Sequence, residues 1–170
     1  MSVETRFKFK AILKTDTHCI LVPPYYILTD SYFIDINKAE EIFENKYPEE
    51  GFWDFIDEIK EQDYIQEISV DSDLIITSDF TNLLQCTGLK DSNNNLIYEG
   101  DIVRFTQYNN EEPEWEYGEV IWGDKYSYPA FDFKHGNLFD CNGLSYIFNE
   151  GWTIEVIGNI HENKELLCQK

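Results

Sequence analysis

The sequence predicts an α+β fold, β-rich in its C-terminal half and with an acidic helical segment in its N-terminal half. Three observations predict it. After residue 80, short β-branched and aromatic runs bounded by turn residues dominate. Between residues 38 and 62, apolar residues recur at helical spacing instead. With 42% hydrophobic and 16% aromatic residues in 170, the chain is globular in composition and can bury one good core or two small ones.

The elements follow in order. From Phe7 to Leu13 the run FKFKAIL begins by alternating apolar and basic residues, as a half-exposed strand does. A second strand covers Cys19 to Val22, is interrupted by Pro23 and Pro24, and resumes in YYIL. Asn37 is the expected N-cap of a helix over 38–47, with Ala39, Ile42 and Phe43 on one side and Pro48 as its stop. A second helix is expected over 51–62, where Phe52, Phe55, Ile56 and Ile59 form a stripe and Asp54, Asp57, Glu58 and Glu61 face away.

After the β-branched run DLIITSD comes the most specified stretch of the chain, QCTGLKDSNNNLIYEGDIVRF at 85–105. Gly88 can take a positive φ, the polar residues 91–95 make a turn, and Leu96, Ile97 and Tyr98 begin a buried strand. Glu99-Gly100-Asp101 makes a second tight turn, which Glu99 and Asp101 can fix through bonds to backbone amides. Ile102, Val103 and Phe105 then form a strand around Arg104, and GEVIW, YPAFDF and WTIEVIGNI supply later strands. Such short strands with tight turns specify a small barrel or a strongly bent antiparallel sheet. The chain therefore divides in character into 1–80 and 81–170. No low-complexity linker separates the parts, so two lobes and one compact unit are both open.

Charge narrows the function. With 33 acidic against 13 basic residues the net charge is −20, which repels phosphate backbones and disfavours direct nucleic-acid binding. From Asp35 to Asp79 there are 15 acids against Lys38, Lys46 and Lys60, a local balance of −12. The candidate partner-binding residues are accordingly Glu40, Glu41, Glu44, Asp54, Asp57 and Glu58. Trp115 joins them as an aromatic anchor within the Glu-rich run 111–116. A surplus of Tyr and Phe over what a small sheet must bury makes self-association a further expectation.

Catalytic and metal signatures are weak. Asp91, Asn93, Asn95 and Glu99 have the oxygen spacing of a calcium loop, but its sixth and twelfth positions, here Leu96 and Ile102, lack the required Gly and Glu. His135 lies near Asp132, Asp140 and Cys141, the one place where a hydrolase or transferase site can be assembled on paper. No GxSxG, HExxH or P-loop pattern occurs. The four cysteines are far apart, as reduced thiols of a cytoplasmic protein are, and no cofactor or metal is expected. No apolar run has the length of a signal peptide or a membrane span.

TGLKD, a polar turn and then IYEGDIV, at 87–103, resemble the signature of the YopX family of phage and prophage proteins. IEVIGNIHENKELL at 154–167 resembles the family's closing segment, in which a strand ends at Gly158-Asn159 and leads into a short Asn-capped helical turn. Here Asn94-Asn95 stands where family members often carry Asn-Gly or Asp-Gly, and Asn tolerates the left-handed geometry. The resemblance implies a phage-type protein of the bacterial host cytoplasm with an SH3-like C-terminal part. It makes Gly88, Asp91, Glu99, Gly100, Asp101, Gly158 and Asn159 structural, and it implies no reaction.

The leading expectation is a non-enzymatic accessory protein that contacts a host or phage protein. In its specific version, carboxylates imitate phosphates and inhibit a host nucleic-acid-binding protein. A nucleic-acid-associated SH3-like module and a His135-centred hydrolase or transferase are the alternatives.

Overall fold

The computed structural model describes residues 9–23, 26–27, 32–61, 65–69, 74–77, 83–106, 114–123, 130–134 and 142–168. The fold is mixed α+β, with antiparallel sheets, one of them strongly curled, and three α-helices among the described residues. Two units divide the chain, Met1–Leu84 and Gln85–Lys170.

In the first unit, β1 (Phe9–Lys14) and β2 (Cys19–Val22) form an antiparallel hairpin in which Ile12 faces Leu21. Strands β3 (Tyr26–Ile27), β4 (Tyr32–Asp35), β5 (Ile65–Ser69) and β6 (Leu74–Thr77) form a second antiparallel sheet, in the order β3-β4-β6-β5. Helices α1 (Ile36–Lys46) and α2 (Phe52–Lys60) lie between β4 and β5 in the chain. No strand is predicted from the sequence at β4 or β5, which lie outside the expected helices 38–47 and 51–62. Both are short, and their partner β6 supplies the pairing that local pattern does not show.

The expected cap of α1 is corrected. Asp35, not Asn37, caps the helix, because its carboxylate accepts from the Lys38 amide at 3.1 Å. Asp35 is still extended as the last residue of β4, the backbone state an N-cap needs. Asn37 already lies in the first turn, exposed, while Ile36 begins the buried face one turn before Ala39. In α2 the expected stripe Phe52, Phe55, Ile56 and Ile59 is buried in full. It joins Ala39 and Phe43 of α1, Ile34 of β4, and Ala11, Leu13, Ile20 and Val22 of the hairpin in one core.

In the second unit, β7 (Leu83–Lys90, beginning just before it) pairs antiparallel with β8 (Leu96–Tyr98). The register shifts between Cys86 and Lys90, where Gly88 has φ +80°. A four-stranded antiparallel sheet follows, ordered β11-β10-β9-β12: β9 is Asp101–Thr106, β10 Glu116–Trp122, β11 Phe131–Phe133 and β12 Thr153–Asn159. Helix α3 (Gly143–Asn149) packs on it, and a 3₁₀ turn spans Lys164–Cys168. The core of this unit gathers Ile97, Val103, Phe105, Val120, Phe133, Leu144, Ile147 and Ile154.

Gly118 shows how tightly that core is filled. It faces Val103 in β9, and a Cβ there would lie 2.7 Å from Cδ1 of Phe133, whose ring stacks on Phe105 at 4.9 Å. A strand ordinarily favours Ala over Gly by about 0.5–1 kcal/mol, but a ring held between neighbours cannot retreat. Gly118→Ala should therefore destabilise the protein by about 1–2 kcal/mol, measured as the shift in urea midpoint at constant slope. A midpoint equal to or above the wild type's would show that Phe133 is free to move.

Helix α3 is not predicted from the sequence, and its cap explains why. Asn142 is left-handed, φ +54°, and makes no side-chain cap bond. The cap comes from a strand instead: Asp132 Oδ1 accepts from the amides of Gly143 and Phe133, both at 2.8 Å. A carboxylate at a helix start satisfies an otherwise orphaned amide and favours the helix dipole.

Candidate partner-binding surfaces

The stretch 85–105 and the tail 154–163 fasten one another. Asp91, 5% exposed, accepts four bonds: from the amides of Asn93 (2.9 Å) and Asn95 (2.8 Å), the Asn95 side chain (3.2 Å) and the Val156 amide (3.0 Å). Burial works to raise its pKa, yet the bonds from Val156, Asn95 and Asn93 together outweigh burial and hold it below 3.8. Beside it the Ser92 amide donates to Ile154 O at 2.8 Å, and the Ile154 amide donates to Ser92 Oγ at 3.1 Å. Within the turn Asn94 has φ +69°, the left-handed state anticipated for this Asn pair.

The second turn is held in the same way. Asp101, buried, accepts from the Tyr98 amide at 2.8 Å and from Asn159 Nδ2 at 3.0 Å. Asn159 Oδ1 accepts from the His161 amide, and the Ile160 amide donates to Gly100 O. Gly100 has φ +77° and donates to Val120 O at 2.7 Å. Glu99 contributes its backbone amide to Gln85 O. Gly158 leaves room for the tail, since a Cβ there would lie 2.7 Å from Leu166 Cδ1 and 2.8 Å from Asn163 Oδ1. Tyr98, half-buried beside these groups, has its hydroxyl pKa raised by burial and then by Cys86 and Asp101. Most of the side-chain bonds here run from backbone amides to side-chain oxygens, and two join side chains, Asn95 to Asp91 and Asn159 to Asp101.

The candidate acids lie on α1 and α2. Glu41, Glu44, Asp54, Asp57 and Glu58 are exposed, and Glu40 is half-buried. Lys38 pairs with Glu41 at 2.6 Å, Lys60 pairs with Asp57 at 2.7 Å, and Lys46 donates to Cys19 O at 2.8 Å. Among the described residues, Glu44, Asp54 and Glu58 have no ion pair. Trp53 stands on α2 beside Asp54 with 47% of its surface exposed. The helical pattern held a clue to Trp53, the one large apolar residue of α2 outside the buried stripe.

Trp115, the other candidate, is half-buried just before β10. The Arg104 guanidinium lies over its ring, 4.4 Å from the centroid, and pairs through Nε and Nη2 with Glu155 Oε2. Arg104 faces Tyr117 on one side and Glu155 on the other, so the three form a row across β10, β9 and β12. Spacing alone could not have found this row, because its members lie far apart in the chain and strand register brings them together.

The catalytic alternative gains no geometry. His135, Asp140 and Cys141 lie outside the described residues, as does the loop 107–113, whereas Asp132 is engaged at the start of α3. Among the described residues no three His, Cys, Asp or Glu side chains are grouped to hold a metal, and no helix is long and apolar enough to cross a membrane.

No curated protein matches the chain. One solved structure similar to it is that of protein EF1440 from Enterococcus faecalis, 22% identical over 95% of this chain and 97% of that one, with a TM-score of 0.45. The family model described as YopX protein matches residues 35–168, most of the chain and both of the fastened segments, and the chain belongs to the YopX family.

Proposed function

We propose that this chain is a non-enzymatic phage- or prophage-type accessory protein that works in a bacterial cytoplasm by protein–protein contact. Its C-terminal unit serves as an SH3-like scaffold, and its helical pair α1–α2 presents carboxylates to a basic surface. The observation that carries this reading is the division of labour on the two helices. Every buried residue of α1 and α2 is apolar, and the lysines Lys38 and Lys60 are paired within their own helices. The outward field is therefore acidic, and such a field steers basic clefts onto it and keeps nucleic acid away. A host nucleic-acid-binding protein is the fitting target, because its cleft is already shaped for regularly spaced negative charge.

The test is a pull-down from bacterial lysate, run beside a variant with Glu40, Glu41, Glu44, Asp54, Asp57 and Glu58 changed to their amides. The expected result is a basic host protein retained by the wild type, released by salt and lost in the variant. Retention unmoved by salt and by the six changes would exclude the acidic face as the binding surface.

A further inference from the structure

We infer that Asn142-Gly143 is a deamidation site which the carboxylate of Asp132 holds shut, so that conversion of Asn142 records how often the start of α3 opens. The inference is independent of how the chain contacts a partner.

The chemistry is written in the dipeptide, which occurs once in the chain and whose Asn142 is exposed to water. In an Asn-Gly pair the backbone nitrogen of Gly is the nucleophile, and a residue without a side chain does not shield its approach to the amide. Gly143 N attacks Cγ of Asn142 and gives up its proton, while the side-chain nitrogen takes up a proton and leaves as ammonia. Water then opens the cyclic imide at one carbonyl or the other, giving aspartate or isoaspartate. The balance is one water consumed and one ammonia released.

The fold sets the pair in a geometry that forbids this attack. Asn142 has φ +54° and ψ +37°. In an L residue such a ψ places the next nitrogen on the same side of the Cα–C bond as the residue's own nitrogen, and Cβ falls on the opposite side. Bringing Gly143 N to Cγ therefore takes a rotation of roughly half a turn about that bond. Two bonds resist it. The Gly143 amide donates to Asp132 Oδ1 at 2.8 Å, and the Asn142 carbonyl accepts from the Tyr146 amide at 2.9 Å. Gly143 itself is buried, and Leu144 and Ile147 behind it are core residues. A carboxylate that accepts the amide proton could in other settings serve as the base for the attack. Here the nitrogen faces away from its target while that bond is made, so Asp132 is a positioning residue that protects.

Conversion consequently runs only through an open state in which the cap and first turn of α3 are undone. Reclosing is far faster than this chemistry, so the rate is proportional to the population of the open state. Either product adds a carboxylate beside the amide that Asp132 caps. Isoaspartate also lengthens the backbone at the left-handed turn, which makes the record of opening permanent.

The experiment incubates the full-length chain at neutral pH beside a synthetic peptide of residues 139–146. Peptide mapping that separates asparagine, aspartate and isoaspartate follows Asn142 in both. The folded chain should convert roughly a hundredfold more slowly than the peptide, as local opening of a packed helix is rare. Asp132→Ala should convert about tenfold faster than wild type, the weight of one lost helix cap. Hydrogen exchange of the Gly143 amide should rise by the same factor while the amides of β9 stay protected. Should Asp132→Ala lose protection at β9, Asp132→Asn replaces it, since it keeps an oxygen acceptor and loses only the charge; its expected rise is about threefold. A folded wild-type chain that converts at the peptide's rate would overturn the inference whatever the variants do. So would a variant, protected at β9, whose Asn142 converts no faster than wild type, or more slowly, as it would if Asp132 were the base.

Discussion

Asp91→Ala will lower the melting temperature of the second unit on the order of 10 °C, since a domain of this size loses roughly 4–8 °C per kcal/mol. One buried carboxylate there accepts from the amides of Asn93, Asn95 and Val156 and from the Asn95 side chain, and truncation strands all of these donors. Bonds to a charged acceptor are worth about 1.5–3 kcal/mol each. Water can replace the acceptor at the exposed turn more readily than at half-buried Val156, so a net loss of about 2–4 kcal/mol is expected.

Asp91 also sets a pH dependence whose sign follows from its depressed pKa. The unfolded carboxyl titrates near 3.8 and the folded one below that. Its contribution is therefore complete above the unfolded value and is lost as pH falls from there through the folded value. Denaturant midpoints from about pH 5 to about pH 2 should show wild type and Asp91→Asn converging as the pH falls. If the gap at the acid end equals that at pH 5, ionised Asp91 is not what holds the turn.

Local features of this fold were legible in the sequence where one residue type or one period decides the geometry. The stripe of α2, the left-handed Asn94 and the positive φ of Gly88 and Gly100 are of this kind. Features that depend on a distant partner were not. The start of α3 is capped by Asp132, eleven residues before Gly143, and β4 and β5 take their identity from pairing with β6. The same division runs through the candidate surfaces. Charge density on the helices can be read along the chain, and so can Trp115. The Arg104–Glu155 pair, 51 residues apart, exists only once register is set. The prominent signature at 85–105 is explained in these terms as well: its conspicuous Asp and Gly residues close turns and bind the tail.

Phe43→Ala should be the most damaging single change in the first unit, costing about 3–5 kcal/mol. Phe43 is fully buried on α1, stacks on Phe55 of α2 at 4.6 Å, and lies against Phe52, Tyr47 and His18 at 5.8, 5.1 and 5.6 Å. It is thus the side chain through which the two helices meet, and no neighbouring ring can fill the space without leaving its own contacts. The substitution leaves the net charge untouched. The six amide changes do the reverse, removing like charges from exposed positions and from half-buried Glu40 while leaving the core whole; the exposed Lys38–Glu41 and Lys60–Asp57 pairs that they break are worth little, so the melting temperature should stay close to or above that of the wild type. Together the two variants separate charge from scaffold. Below its own melting temperature, Phe43→Ala should still bind a basic partner in a salt-dependent way. The six-fold variant should fail to bind at every temperature. Thermal unfolding by circular dichroism, with hydrogen exchange read over α1 and α2, checks the first half of this expectation. A melting temperature within a few degrees of wild type would mean that Phe43 does not join the helices, and the acidic face would then need another scaffold to hold its carboxylates in place.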